Sequence, residues 1–222
     1  MAFRLIKPAS RVWLDSAGSA DALVSDADRA VTALRRDYER WSRLGGGILA
    51  FTVTAAALFV GSAAWAFLFG PWLRDTATIA TAIIAPLVAA AGIFVLWRLH
   101  RSGRRLAGAA AWWMRLPYRT GARPRPVRGY VLARTIYLEP ALLARSLTMG
   151  CALLLLILGV AGFVRGLVVM EQEPSVTIAL ATLSAISAAC FCGQLGGVAR
   201  IGAGASEADP IWARTRDAFR DR

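Results

Sequence analysis

Of 222 residues, 57% are hydrophobic and only 18% charged, which excludes an ordinary water-soluble domain, where charged residues approach a quarter. The net charge of +12 rests on arginine, and one histidine with an odd set of three cysteines, Cys151, Cys190 and Cys192, all in apolar stretches, suits neither a metal centre nor a secreted disulfide framework. No cofactor and no metal are therefore expected.

The apolar residues are clustered. No charge occurs between Arg43 and Arg74, from Thr76 to Trp97, from Ser146 to Val164, or from Pro174 to Ala199. Each gap meets or approaches the roughly 20 residues a helix needs to cross about 30 Å of hydrocarbon. These stretches are apolar all round, without the polar stripe of a soluble helix. The fold class predicted is an all-α integral membrane protein, with four transmembrane helices arranged as two hairpins and amphipathic cytoplasmic helices beside them. Residues 1–44 form a cytoplasmic N-terminal region, 45–99 the first hairpin, 100–145 a basic connector, 146–199 the second hairpin and 200–222 a cytoplasmic tail.

In chain order, Phe3, Leu5, Ile6, Val12, Trp13 and Leu14 mix with Arg4, Lys7 and Arg11, a composition suited to the headgroup layer. Ser19 is a reasonable helix cap with Asp21 in the first turn. Ala20, Val24, Ala27, Val31, Leu34, Tyr38 and Trp41 then recur at steps of four and three, a heptad seam predicting one helix that joins subunits or docks a partner as a coiled coil, or lies on its own connector or on the bilayer. Gly46 to Phe69 is the first span, stopped by Gly70-Pro71 with Trp72 at the interface. Thr76 to Leu99 is the second, with Pro86 expected to kink it.

The connector carries eleven of the 26 basic residues between Arg98 and Arg145 and a single acid, Glu139. It opens with Arg98, His100, Arg101, Arg104 and Arg105. Leu106 to Leu116, with adjacent Trp112 and Trp113 and then Arg115, reads as a short helix in the interface. Pro117, Gly121, Pro124 and Pro126 predict an extended linker, and Tyr130 to Leu138 is either helix or strand. Glu139-Pro140, Glu173-Pro174 and Asp209-Pro210 are three helix starts, proline being harmless at the first helical position. They open the third span (Ser146 to Val168), the fourth (to Ala199) and a terminal docking or interfacial helix with Ile211, Trp212, Thr215 and Phe219 on one face. Gly202 and Gly204 are read as loosening the chain before it.

Eight basic residues precede the first span, eleven lie in the connector and five follow the last span, against one in each tip, Arg74 and Arg165. The positive-inside bias then puts both termini and the connector in the cytoplasm and the protein, multi-pass, in the inner (plasma) membrane. Anionic lipid headgroups are the first partner expected. The lipid- or partner-binding residues predicted are Arg98, His100, Arg101, Arg104, Arg105, Trp112, Trp113 and Arg115. Gly193 and Gly197, a GxxxG pair, are the helix-packing candidates.

No span carries an acid, lysine or histidine near its centre, which argues against ion-coupled pumping. No catalytic residue is assigned and no enzyme is expected. The function predicted is a non-catalytic accessory or scaffold subunit binding a protein partner or a second copy. Two rivals are a homo-oligomeric channel lined by Thr52, Thr54, Ser62, Thr182, Ser184, Ser187 and Gln194, and a lipid-modifying enzyme using Glu139, Arg134, Arg145 and His100. Nucleic acid is the weakest partner, because lipid phosphate satisfies the same arginines.

Overall fold

The four charge-free stretches become four helices long and apolar enough to cross a membrane in a computed structural model describing residues 5–20, 22–69, 75–169 and 173–220. Phe3, Arg4, Asp21, Gly70, Pro71, Trp72 and Arg74 lie outside the described residues, as do the side chains of Leu132 and residues 217–220. The helices are α1 (Pro8–Asp15), α2 (Ala27–Tyr38), α3 (Trp41–Phe69), α4 (Thr76–Arg119), α5 (Arg128–Thr135), α6 (Pro140–Val169), α7 (Pro174–Ala205) and α8 (Pro210–Arg220). Short 3₁₀ turns occupy Val24–Asp26, Ile136–Leu138 and Ser206–Ala208, and no strand occurs among the described residues. The chain divides into an apolar unit, Leu44–His100 with Thr148–Cys192, and a polar unit, Met1–Arg43 with Arg101–Leu147 and Gly193–Arg222.

The apolar unit hides its small side chains and presents its large ones. Ala82, Ala85 and Ala89 are buried, while Leu87 is 65% exposed, Leu154 62% and Ile83 59%. Water would penalise such a surface; in lipid, close packing of small residues is what associates helices. A Cβ on Gly61 would stand 3.2 Å from Ala85, and one on Gly92 would strike Thr54. With Trp65 Nε1 donating to Ala82 O at 3.1 Å, these contacts run α3 and α4 antiparallel, one number rising as the other falls. Gly159 against Ser184 and Gly162 against Leu180 do the same for α6 and α7. Pro86 lies inside α4 without ending it.

The polar unit has a core of its own. Leu34, Leu106, Ala110, Trp113, Ile136, Leu142 and Ile201 are each at most 2% exposed and form one cluster with Ala27, Ala30 and Tyr38. Trp13 and Leu14 of α1 pack against it.

The structure departs from the sequence expectations at several elements. The helix assigned to begin at Ser19 begins at Ala27; Ser19 Oγ bonds Ser16 O at 2.9 Å, closing a turn instead of capping a helix. Trp41 opens α3, so the seam from Ala20 to Trp41 is broken between Tyr38 and Trp41. Its central members Ala27, Leu34 and Tyr38 lie in the unit's own core, which is where a helix this short finds its stability. Leu106 to Leu116 is no separate interface helix: α4 continues without a break to Arg119, because Leu99, Ser102, Leu106, Ala110, Trp113 and Pro117 keep a buried stripe at steps of three and four. Irregular chain starts only after Arg119, and Tyr130–Leu138 is helix followed by a 3₁₀ turn.

Gly202 and Gly204 do not loosen α7. The helix runs to Ala205, and a Cβ at Gly202 would strike the Tyr137 hydroxyl, while one at Gly204 would stand 3.0 Å from Ala111 Cα. The three acid-proline starts appear at Pro140, Pro174 and Pro210. Asp209 caps α8, its Oδ1 accepting from Ile211 N at 2.9 Å while Oδ2 takes Arg134 at 2.6 Å. Replacing Asp209 by alanine is expected to cost about 1–2 kcal/mol. Loss of amide-exchange protection confined to α8 and α5 would check this.

Candidate functional site

The second half of α4 places the connector's arginines. Helical residues advance by about 100° each, so Arg101, Arg104, Arg105, Gly108, Trp112, Arg115 and Arg119 fall within an arc of about 100° while Leu106, Ala110 and Trp113 face the core. Arg101, Arg104, Arg105 and Arg119 are exposed; Trp112 and Arg115 are half-buried. From Arg101 to Arg119 this ridge rises about 27 Å. Among the described residues, no carboxylate pairs with Arg104, Arg105, Arg115 or Arg119.

The remaining candidates are distributed differently. Arg98 lies over the Phe94 ring at 5.7 Å, and His100 is half-buried at the end of the apolar unit. Trp113 is no surface residue at all: it is 1% exposed, donates Nε1–H to Trp13 O at 2.9 Å, and meets the Trp13 and Trp112 rings edge-on at 5.9 and 5.0 Å. Of the adjacent pair, helical rotation leaves only Trp112 partly outside. Gly197 receives the ring of Tyr38 on its bare Cα, and Gly193 lies half-buried one turn before it.

Ion pairs fix the elements behind the ridge. Arg35 joins Glu39 at 2.6 Å and also Glu139, tying α2 to the start of α6. Burial works against the Arg35 charge, but the two carboxylates outweigh it and raise its pKa. Burial pushes the Glu39 carboxyl up, with Arg35 pulling the other way. Arg145 is 4% exposed, with its guanidinium 4.2 Å from the Tyr38 ring centroid and donating to Tyr38 O and to Gln194 Oε1 at 3.2 Å. Arg43, equally buried, donates to Leu5 O at 2.7 Å and to Ser102 Oγ. Burial, and next the neighbouring Arg145 charge, lower Arg43 to about 10, still cationic at neutral pH.

Sequence reasoning missed these buried guanidiniums. Beside an apolar span, an arginine reads as a snorkelling or headgroup residue, and only the distant partners reveal otherwise. The four residues of the lipid-chemistry reading are likewise divided: Glu139 holds Arg35, Arg134 holds Asp209, Arg145 holds Tyr38 and Gln194, and His100 belongs to the apolar unit.

A cavity of about 210 Å³ opens between α2, α4 and the end of α7, lined by Val31, Trp113, Met114, Tyr118 and Ile136 with Asp28, Arg35, Arg123 and Glu139. Its charged groups are committed to one another. Arg123 grips Asp28 with two bonds, 3.0 and 2.6 Å. That hydrogen bonding holds the Asp28 carboxyl below its ordinary value, burial opposing it. A carboxyl depressed in the folded chain contributes stability that is complete above the unfolded value of about 3.9 and is lost as pH falls through the folded value. Amide protection around residues 120–125, corrected for intrinsic rate, is therefore expected to drop between pH 6 and pH 3. The drop should stay within about 1 kcal/mol, because the pair is largely exposed. Equal protection at both pH values would show that the clasp holds nothing.

Comparison with known proteins gives no matching family model, no matching curated protein and no matching solved structure.

Proposed function

We propose that this chain is a non-catalytic, multi-pass protein of the inner (plasma) membrane, an accessory or scaffold subunit that holds a partner at its cytoplasmic face. The apolar unit forms two hairpins within the bilayer, with both termini and the polar unit in the cytoplasm. Arginine distribution supports that orientation, since guanidinium groups resist transfer across hydrocarbon and concentrate at the connector and termini.

The single observation that carries the reading is the α4 ridge. It is an exposed row of arginines on a helix whose opposite side is locked into a packed core. An arginine row needed only for topology works equally well on a loose loop. Mounting it on a rigid helix makes it a surface of fixed geometry, which favours binding. The α2 seam is spent within the polar unit and leaves docking to the connector.

A pore is less well supported. Thr54, Ser62 and Ser184 are buried and donate to the carbonyls of Ala50, Phe59 and Leu180 in their own helices, a packing role.

The test is affinity purification in mild detergent followed by native mass spectrometry. A stoichiometric partner or a defined homo-oligomer is expected; a bare monomer, or reproducible unitary conductance in planar bilayers, would overturn the proposal. Orientation is checked with Thr120→Cys in a chain whose native cysteines are replaced by serine. Labelling of that cysteine by an impermeant maleimide added outside intact cells would invert the topology.

A further inference from the structure

We propose that the ridge formed by Arg101, Arg104, Arg105, Arg115 and Arg119 around Gly108 and Trp112 docks an acidic amphipathic α-helix of another protein. This rests on the scaffold reading and names the chemistry of its partner.

The stretch from Thr76 to Leu138 contains no Asp or Glu, and among the described residues no remote carboxylate reaches Arg104, Arg105, Arg115 or Arg119, unlike Arg123 and Arg134; for these four a partner supplies the acids. The pattern along the ridge then chooses among polyanions. It is not uniformly cationic: Arg101, Arg104 and Arg105 form one cluster, Arg115 and Arg119 another, and about 15 Å of helix between Arg105 and Arg115 holds Gly108 and Trp112. A phosphate backbone or a headgroup sheet carries charge evenly and would leave this middle section unmatched. An amphipathic helix can place acids at both ends of a contact and apolar residues between them.

Shape agrees with charge. A Cβ added at Gly108 would meet nothing within 4 Å, so space stands open above that backbone. Such a gap lets an incoming helix approach closely. Trp112 packs against the core and keeps part of its large apolar side chain exposed, and tryptophan and arginine are the residues on which interfaces most often depend. The rise of about 1.5 Å per residue is common to both helices, so acids at steps matching those of the arginines meet them in turn. Because α4 is already rigid, little ordering opposes the contact.

The test uses the full chain in nanodiscs of zwitterionic phosphatidylcholine. The probe is a fluorescein-labelled acidic amphipathic peptide whose glutamates match the two arginine clusters and whose leucines and alanines lie between them. Controls are a scrambled peptide of identical composition, a single-stranded oligodeoxynucleotide of about the same charge, and vesicles containing phosphatidylglycerol. The patterned peptide is expected to bind at least tenfold more tightly than the scrambled one and to weaken at least tenfold in high salt. Arg104→Gln with Arg105→Gln and Arg119→Gln should reduce its affinity at least tenfold. Gly108→Leu, which blocks the centre without changing charge, should do the same, with circular dichroism showing both variants folded.

Equal binding of patterned and scrambled peptides would mean attraction by charge alone and overturn the assignment. So would tighter binding of the oligonucleotide or of the anionic vesicles, or affinity unmoved by the substitutions. A partner that co-purifies equally well with the arginine variant would leave the scaffold reading standing and remove the ridge from it.

Discussion

Trp113→Ala is expected to destabilise the polar unit by about 3–5 kcal/mol, the usual cost of emptying a large aromatic site in a packed core. The ring is 1% exposed, contacts two other tryptophans edge-on and satisfies the carbonyl of Trp13. Its removal therefore leaves a cavity and an orphaned acceptor, and takes from α1 its contact with α4, leaving it held by α2. Trp112→Ala, one residue away, is expected to cost about 1–2 kcal/mol, since part of that residue is already exposed. Denaturant unfolding in detergent, followed by circular dichroism, separates the two. Equal and small losses would mean that both tryptophans belong to the bilayer interface and that the core around Leu106 and Leu142 is wrongly assigned.

Gly129→Ala is expected to cost about 1–3 kcal/mol, although alanine is the better helix former by about 1 kcal/mol. Gly129 lies within α5, and a Cβ there would run into the carbonyl of Ala208, standing 2.7 Å from its carbon. The obstacle is backbone, and backbone cannot rotate away as a side chain does. The α5 helix would have to move off the Ser206–Ala208 turn, straining the Arg125 bond to Glu207 O at 3.1 Å and the Arg134–Asp209 pair. Thermal unfolding of the variant, with amide exchange localised to residues 125–135 and 206–216, would measure it. A neutral or stabilising outcome would show that α5 is not seated against this turn.

These two positions also mark how far the sequence could be read. The apolar stretches, their lengths and the three acid-proline starts are one-dimensional signals: charge is absent from a run long enough to span, and proline fixes its own φ wherever it falls. Helix existence followed directly. Boundaries did not, where a turn residue was taken for a cap. Ser19 has the chemistry of an N-cap, yet its hydroxyl closes the turn before it. Pro117 has the chemistry of a helix stop, yet α4 carries it within its last turn. The continuous stripe Leu99, Leu106, Ala110, Trp113 was available and was obscured by the arginines threaded through it.

Of the predicted binding residues, Arg101, Arg104 and Arg105 lie on one exposed face, because the 100° step per residue carries them off the buried stripe. Trp113, predicted to share that face, points into the core. Adjacent tryptophans look alike in sequence, and the 100° turn between them sends one inward. Nothing local distinguishes Arg43 and Arg145 from arginines that snorkel, and their burial is decided by Leu5, Tyr38, Ser102 and Gln194, all but Tyr38 remote from either arginine in sequence.

The sequence alone determined the solvent preference of each segment, since hydrophobic length and charge spacing act residue by residue and need no partner. Only the tertiary structure decided that residues 1–43, 101–147 and 193–222 share a second core, because burial there depends on three segments far apart in the chain meeting at Leu34, Leu106, Leu142 and Ile201. Which arginines remain on the surface is a consequence of that meeting, and it is settled in three dimensions.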